Sequence, residues 1–470
     1  MSQPGEARRR VLLISHDIVG AAMAGPGIRY YHLARTLAPH VDVTLAVPHG
    51  LPQWAGTQPF AVGCYQYGDW STIASLVAAN EILIFPSDIA SEFPQIGESQ
   101  AVCVVDGYDP LLAEWLALAH AWDLVKEEAP WWHRVRNLNR QYLVGDFFIC
   151  ASERQRDWWL GLLEAAGRLN PWTYEEDSTL RSLVDVVPFG LPEAPPRRTR
   201  AVVKGVWPGI AESDCLVLWG GGLWPWLDPL TAIRAIAKVR TVRDDVKLVF
   251  PGTRHPNPIM KVMPTLTEAA RREAETLNLL DSAVFFGEWV PYDDWPNVLL
   301  ESDVALSLHF DGIETRLAFR SRMFDYIWAG LPVVATGGDA TSEIVARHGI
   351  GVVVGYEDAD AVAVALLELL ATPRQQHSAG FEAARAVLTW ERAAQPLIDF
   401  CLRPRRAPDR VRLGPRLGNP YYLEEQAALL QERDRLAAES EQWRALAAHC
   451  EQERAQNLSD RQAERESLLQ

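Results

Sequence analysis

LSLHFDGIETRLAFRSRMFDYIWAGLPVVAT, residues 306–336, reads as a buried strand, a polar loop, a short helix and a second buried strand. Glu314, Arg316, Arg320, Arg322 and Asp325 crowd into twelve positions of it. Apolar strands on both flanks set these charges at the edge of a core. A charge-dense turn there can hold an anion bidentately and orient hydroxyl groups. That combination suits a nucleotide diphosphate sugar. The bland alternative is an internal Arg–Asp ion-pair network.

Outward from this stretch the pattern repeats. CLVLWG (215–220), VKLVFPG (246–252), AVFFGEWV (283–290), DVALSL (303–308), PVVAT (332–336) and GVVVG (351–355) are strand-like. Helical patterns separate them, including Pro229–Val239 and Thr265–Leu277. An earlier series has the same form: RVLLIS (10–15), VDVTLAV (41–47), EILIFP (81–86), AVCVVD (101–106), DFFICA (146–151) and VDVVPF (184–189), with amphipathic stretches at 29–37 and 152–163. Apolar strands alternating with helices are the mark of a parallel, doubly wound α/β sheet. The chain thus divides into two Rossmann-like domains facing a cleft, 1–190 and 205–389, joined by a Pro- and Arg-rich linker at 191–204. A helix over 390–402 is expected to cross back onto the first half.

Residues 403–416 carry six Arg and one Asp, so 403–420 reads as a flexible basic linker. The tail, 421–470, is polar and helix-prone, with Leu429, Leu436, Trp443 and Cys450 at seven-residue spacing. This is a weak coiled-coil seam, since positions such as Arg433 and Ser440 are polar; it points to weak homo-oligomerisation or a partner helix, with a solvated single helix or a disordered tail as the alternative.

A length of 470 residues and 48% hydrophobic content support two buried cores with an appendage. A net charge of −16 argues against broad nucleic-acid binding. Six scattered Cys, with no CxxC pair, fit reduced thiols in a cytoplasmic protein. The short polar start, MSQPGEARRR, followed by a brief apolar run, gives no leader or spanning segment.

Several loops carry candidate chemistry. Gly25-Pro26-Gly27 follows the first strand and opens a helix, where backbone N–H groups can meet an anion; a plain tight turn is the alternative. The spacing is not GxGxxG. His16 and Asp17 end that strand, and a structural role for His16 weighs equally with a functional one. Asp106 and Asp109, in VVDGYDP, suit sugar hydroxyls or a base role, with helix capping preferred for Asp109. Gly220–Gly222 permits close approach to phosphate. Trp224 and Trp226 beside it either stack on a ligand or wedge the domains together. Asp358-Ala359-Asp360 has the DxD form, yet N-capping explains it better and no metal is expected. Trp131–Arg136, WWHRVR, is an aromatic–basic cluster suited to a membrane surface or an acceptor, with an ordinary half-buried helix preferred.

FDYIWAGLPVVAT and the glycine loop resemble the family 4 retaining glycosyltransferases of GT-B fold, over roughly residues 8–402. The resemblance implies a sugar moved from a nucleotide-sugar donor, bound mainly by the second half, to a carbohydrate or glycolipid acceptor. Asp325 stands where the family's ribose-binding Glu stands. Glu314 is nearest to its sugar-contacting Glu, though ten residues intervene rather than seven. The family's Arg and Lys after the first strand of the second half are absent from WGGGLWPWLDPL. Arg316, Arg320 and Arg322 are the cations left to hold the diphosphate. WGGGLWPWLDPLTAIRA, CASERQRDWWLG and VDVVPFGLP look like a subgroup from bacterial surface-polysaccharide clusters. The expected site therefore has Asp106, His309 and Glu314 as catalytic residues. Gly25, Gly27, Gly221, Gly222, Arg316, Arg320, Arg322 and Asp325 are expected to bind donor. Localisation is expected to be cytoplasmic or peripheral at the inner membrane. The alternatives are a degenerate GT-B scaffold working through its tail and a nucleotide-sugar epimerase.

Overall fold

A computed structural model describes residues 8–123, 128–257, 264–419 and 422–468. The first seven residues of the polar start lie outside it. Residues 8–412 contain two fully parallel sheets. The first has β1 (Arg10–Ile14), β2 (Asp42–Pro48), β3 (Ala61–Tyr65), β4 (Ile82–Pro86), β5 (Val102–Asp106), β6 (Phe147–Cys150) and β7 (Val184–Val186), in the order β3-β2-β1-β4-β5-β6-β7. The second has β8 (Cys215–Trp219), β9 (Val246–Pro251), β10 (Val284–Gly287), β11 (Val304–Ser307), β12 (Val333–Thr336) and β13 (Gly351–Val354), in the order β10-β9-β8-β11-β12-β13. Leu12, Ile84, Val104 and Phe148, and across the other sheet Leu218, Val249, Ala305 and Val334, are all sealed from solvent. Runs apolar on both faces give this result because helices cover both sides of a parallel sheet.

Twelve strand-like runs sit where the sequence places them; β3 was not among them. It is an edge strand of mostly half-exposed residues, so its apolar signal is weak. Gly63 within it lies against Leu76, whose Cδ1 would sit 2.8 Å from any Cβ there. In each sheet the order reverses beside the first strand, so the loops after β1 and β8 open at the switch points where ligands bind.

The expected single helix over 390–402 is two, Trp390–Ala393 and Gln395–Leu402, because Pro396 interrupts the hydrogen-bond ladder. Both return the chain to the first sheet: Trp390 stacks on His32 at 5.2 Å and Phe400 on Phe147 at 4.6 Å.

The flexible linker expected over 403–420 is corrected as far as Arg412. Asp409 and Arg168 form a fully buried pair, 2.6 Å apart. Arg410 reaches the buried Asp146 at 2.6 Å, with Arg406 behind it at 3.4 Å. The Arg residues neutralise carboxylates of the first half, so this segment belongs to the core. The helix Tyr422–Ser467 is a separate unit. Its seven-residue seam is open to solvent, with Leu429 63% and Trp443 69% exposed. Among the described residues no helix is long and apolar enough to cross a membrane.

Candidate active site

A cavity of about 740 Å³ lies where the carboxyl ends of the two sheets face each other. Gly25, Gly221, Gly222, Arg320, Arg322 and Asp325 line it together. Asp106, Gly27, His309, Glu314 and Arg316 do not.

The second-half wall is built on Tyr326. Its hydroxyl accepts from the N–H of Gly220 at 2.8 Å and donates to the carbonyl of Leu306 at 3.2 Å, tying the glycine loop to β11. A Cβ at Gly220 would fall 2.5 Å from that hydroxyl, and Gly221 has φ +83°. Both positions therefore require glycine. One turn before Tyr326 on the same helix, Ser321–Ala329, stands Arg322. Its guanidinium lies 5.7 Å over the Trp219 ring, with Nη2 3.5 Å from the carbonyl of Gly222. Nη1 is out of solvent without a hydrogen-bond partner. Burial, uncompensated by any ion pair, lowers its pKa to about 10. The helix start carries no side-chain cap, so its positive end adds to the same field. A cation thus stands in the first turn of a helix, and among the described residues no carboxylate pairs with it. That is the electrostatic form of a phosphate site.

Asp325 is three residues further on. It accepts from Trp295 Nε1 at 2.9 Å. Burial pushes its carboxyl up to about 7, and the Trp295 hydrogen bond and Arg322 only partly offset this. The alternative of an Arg–Asp ion-pair network does not extend to Arg322 and Asp325: among the described residues they form no ion pair, and both line the cavity.

The remaining charges of the 306–336 stretch form a buried network. Arg320 donates to both oxygens of Glu314, at 2.8 and 2.7 Å, and its Nε lies 3.6 Å from Asp339. His309 sits 3.1 Å from the same Asp339, sealed from solvent. Burial keeps His309 below its ordinary value, although Asp339 opposes this. Here the ion-pair alternative applies: Glu314 is engaged by Arg320, and His309 packs against Asp339 away from the cavity. Arg316 is exposed and does not line the cavity. Asp106 is likewise taken. Arg29 donates to both its oxygens, at 2.7 and 2.9 Å, with neither side chain exposed. An acid held in this way is not a free base. Gly27 is a packing glycine, since a Cβ would fall 2.1 Å from the carbonyl oxygen of Ile18.

The first-half wall is built from residues outside the expected site: His16 and Asp109, for which the sequence left a structural role open, and Asp88, which it did not single out. His16 Nδ1 lies 2.8 Å from Asp88 Oδ1, and Tyr67 donates to Asp88 Oδ2 at 2.7 Å. Burial alone would lower His16, but the Asp88 charge and hydrogen bond raise it to about 9. Asp88 is correspondingly held at about 2 against its own burial. His16 is therefore a cation in this cleft. Asp109 does not cap the following helix, whose start has no side-chain cap. It lines the cavity instead, its carboxyl pushed up by burial, as is that of Glu114. Asp88 ends FPSD after β4, so the strand-end rule that selected Asp106 would have found it.

Trp224 and Trp226 stack in parallel at 5.3 Å, with the His255 ring 5.7 Å from Trp224. Both Trp line the cavity, so they face a ligand space as well as core. Asp358 caps its helix through the N–H of Ala361 at 2.9 Å, and Asp360 pairs with Lys238. The DxD sequence is thus engaged in capping and pairing.

Residues 215–372, which include β8 to β13, match the family model described as Glycosyl transferases group 1. A search of curated proteins finds no match. Among solved structures, a sucrose-phosphate synthase from Thermosynechococcus elongatus is similar at TM-score 0.52 and 14% identity, over 84% of this chain and 98% of that one. A glycosyltransferase from Rickettsia africae is similar at TM-score 0.53 and 14% identity, covering 85% and 100%. Anabaena Alr3699/HepE, in complex with UDP and glucose, has TM-score 0.56 and 13% identity, covering 84% and 97%. At these identities the likeness defines the fold: two parallel-sheet α/β domains of GT-B type.

Proposed function

We propose that this chain is a metal-independent, retaining glycosyltransferase. It moves a hexosyl group from a nucleotide-sugar donor to a carbohydrate or glycolipid acceptor in glycan or polysaccharide synthesis, in the cytoplasm or at the inner membrane face. The observation that carries this reading is Arg322, a cation without a counter-ion at the Gly221–Gly222 loop. The glycosyltransferase group 1 match over the same half supports it, and so does the UDP-glucose bound by Alr3699/HepE.

In this reading the diphosphate lies between the glycine loop and the start of the Ser321–Ala329 helix, with Arg322 against its oxygens. Arg322 takes the place of the Arg and Lys that WGGGLWPWLDPL lacks. Asp325, held by Trp295, accepts ribose hydroxyls. As the glycosidic C–O bond breaks, negative charge grows on the leaving phosphate, and Arg322 is already aimed at it. The acceptor proton passes to that phosphate oxygen, so no protein nucleophile is needed. Asp106 and Glu314, engaged with Arg29 and Arg320, hold the walls rather than react.

A thermal-shift panel of UDP-, GDP-, ADP- and dTDP-sugars tests the donor half of this reading. Ligand at a hundred times its Kd stabilises the folded state by about 2.7 kcal/mol. One base class should raise the melting point, and no shift with any would favour a degenerate scaffold. Retention is read from the product anomer by NMR. Formation of a second sugar nucleotide without acceptor would indicate epimerisation instead.

A further inference from the structure

Apart from His16, which Asp88 pairs, the donor reading leaves a further cation of the cleft without a task. Arg134 lies on the helix Glu128–Val144, which buries Leu138, Gln141 and Tyr142, and it lines the same cavity as Arg322. Its guanidinium sits 5.9 Å over the Trp115 ring. Among the described residues no carboxylate comes within ion-pair distance of it. The carboxyls that face it, Asp88 and Glu114, are otherwise disposed. Asp88 is engaged by His16 and Tyr67. Glu114 is held towards its neutral form, first by burial and then by Asp109 and Glu314. Beside Arg134, Leu111, Leu118 and Trp122 give the wall an apolar surface.

We propose that Arg134, seated on Trp115, is the anion subsite of the acceptor, so that the acceptor carries a phosphate or carboxylate on or next to its sugar. This rests on reading the cleft as a glycosyl-transfer site. The physical reason is that a half-buried guanidinium without an acceptor loses hydration and gains only a weak ring contact in return. A ligand oxyanion supplies the missing partner in the bidentate geometry that Arg offers. Glu114, held towards its neutral form, then donates a hydrogen bond to the same ligand rather than repelling it. The apolar wall takes the C–H face of the ring. Arg322 serves the donor phosphates, Arg134 the acceptor's anion, and the two groups approach the transfer point from opposite halves.

The test is calorimetry with inorganic phosphate on protein saturated with UDP, which occupies the Arg322 end. We expect phosphate to bind the wild type, about tenfold or more weaker to R134Q, and with intermediate affinity to R134K, which keeps the charge but loses the bidentate fork and the ring seat. Arg134 is on a helix surface, and circular dichroism of R134Q checks that the helix persists. No phosphate binding to the UDP-saturated protein, or equal binding to R134Q, overturns the proposal. Should UDP itself not bind, the donor reading fails separately; the phosphate titration is then run on R322A, which reads the Arg134 site without nucleotide. An acceptor screen gives a second arm. Among sugars that turn over, the anionic ones should show a KM raised in R134Q with kcat little changed. Turnover of neutral sugars only contradicts the assignment.

Discussion

At the scale of single residues, what decides a role is which charges already have partners. Arg29, Arg168 and Arg320 are each matched to a carboxylate, whereas Arg322 is not. Asp106→Asn should therefore act on stability, not chemistry. It leaves Arg29 buried with half its acceptor, a cost of about 3–5 kcal/mol by analogy with broken buried pairs. Denaturant unfolding should show that loss, while turnover per folded molecule stays near wild type. His16 and Asp88 make a pH prediction. The His16 pKa is raised to about 9, so the stability it contributes is complete below its unfolded value of roughly 6.5 and is lost as pH rises through 9. Asp88, lowered to about 2, contributes above its unfolded value of roughly 3.9 and loses that contribution as pH falls through 2. His16→Gln should remove the decline in melting temperature between about pH 6.5 and 9. Asp325 has the opposite sense to Asp88. Its carboxyl is raised to about 7, so burying it costs stability progressively as pH climbs from about 4 to 7. Asp325→Asn should flatten that slope while weakening nucleotide binding. The sequence exposed the cluster at 314–325 but not its pairing. Which Arg meets which acid depends on how the loop before Ser321 folds back, and linear spacing does not contain that.

Among elements, the strands were the most legible, because a buried parallel strand needs an uninterrupted apolar run and twelve such runs are present. What spacing could not give was the fate of the Arg-rich segment after Leu402. Arg and Pro in sequence look like a solvated linker. Asp146 and Arg168, which make it core, lie more than 230 residues away. Truncation is the corresponding test. A chain ending after Arg412 keeps the Asp409–Arg168 pair and should fold with wild-type stability. A chain ending after Pro404 leaves Arg168 buried alone and should lose about 3–5 kcal/mol. Equal melting temperatures for the two would mean that the ion pairs do not anchor this segment.

For the whole molecule, two switch points face one cavity, so the account is of a cleft whose halves each supply one end of the reaction. Direct contacts already join the halves there: Asn257 donates to Asp17 at 2.9 Å, and the N–H of Tyr292 to the carbonyl of Ala21 at 2.7 Å. The tail, with its exposed seam, is proposed to associate weakly with a second copy. Light scattering should show a larger species for the full chain than for the chain ending at Arg412, falling apart on dilution, because its polar core positions limit the gain. The most direct measurement is donor-nucleotide affinity by calorimetry in wild type, Arg322→Ala and Arg316→Ala, using whichever nucleotide gives the largest thermal shift. The account predicts a loss of about 1.5–3 kcal/mol for Arg322→Ala, the range for hydrogen bonds to charged groups, and none for the exposed Arg316→Ala. Unchanged affinity in Arg322→Ala, with the fold intact by circular dichroism, would contradict it.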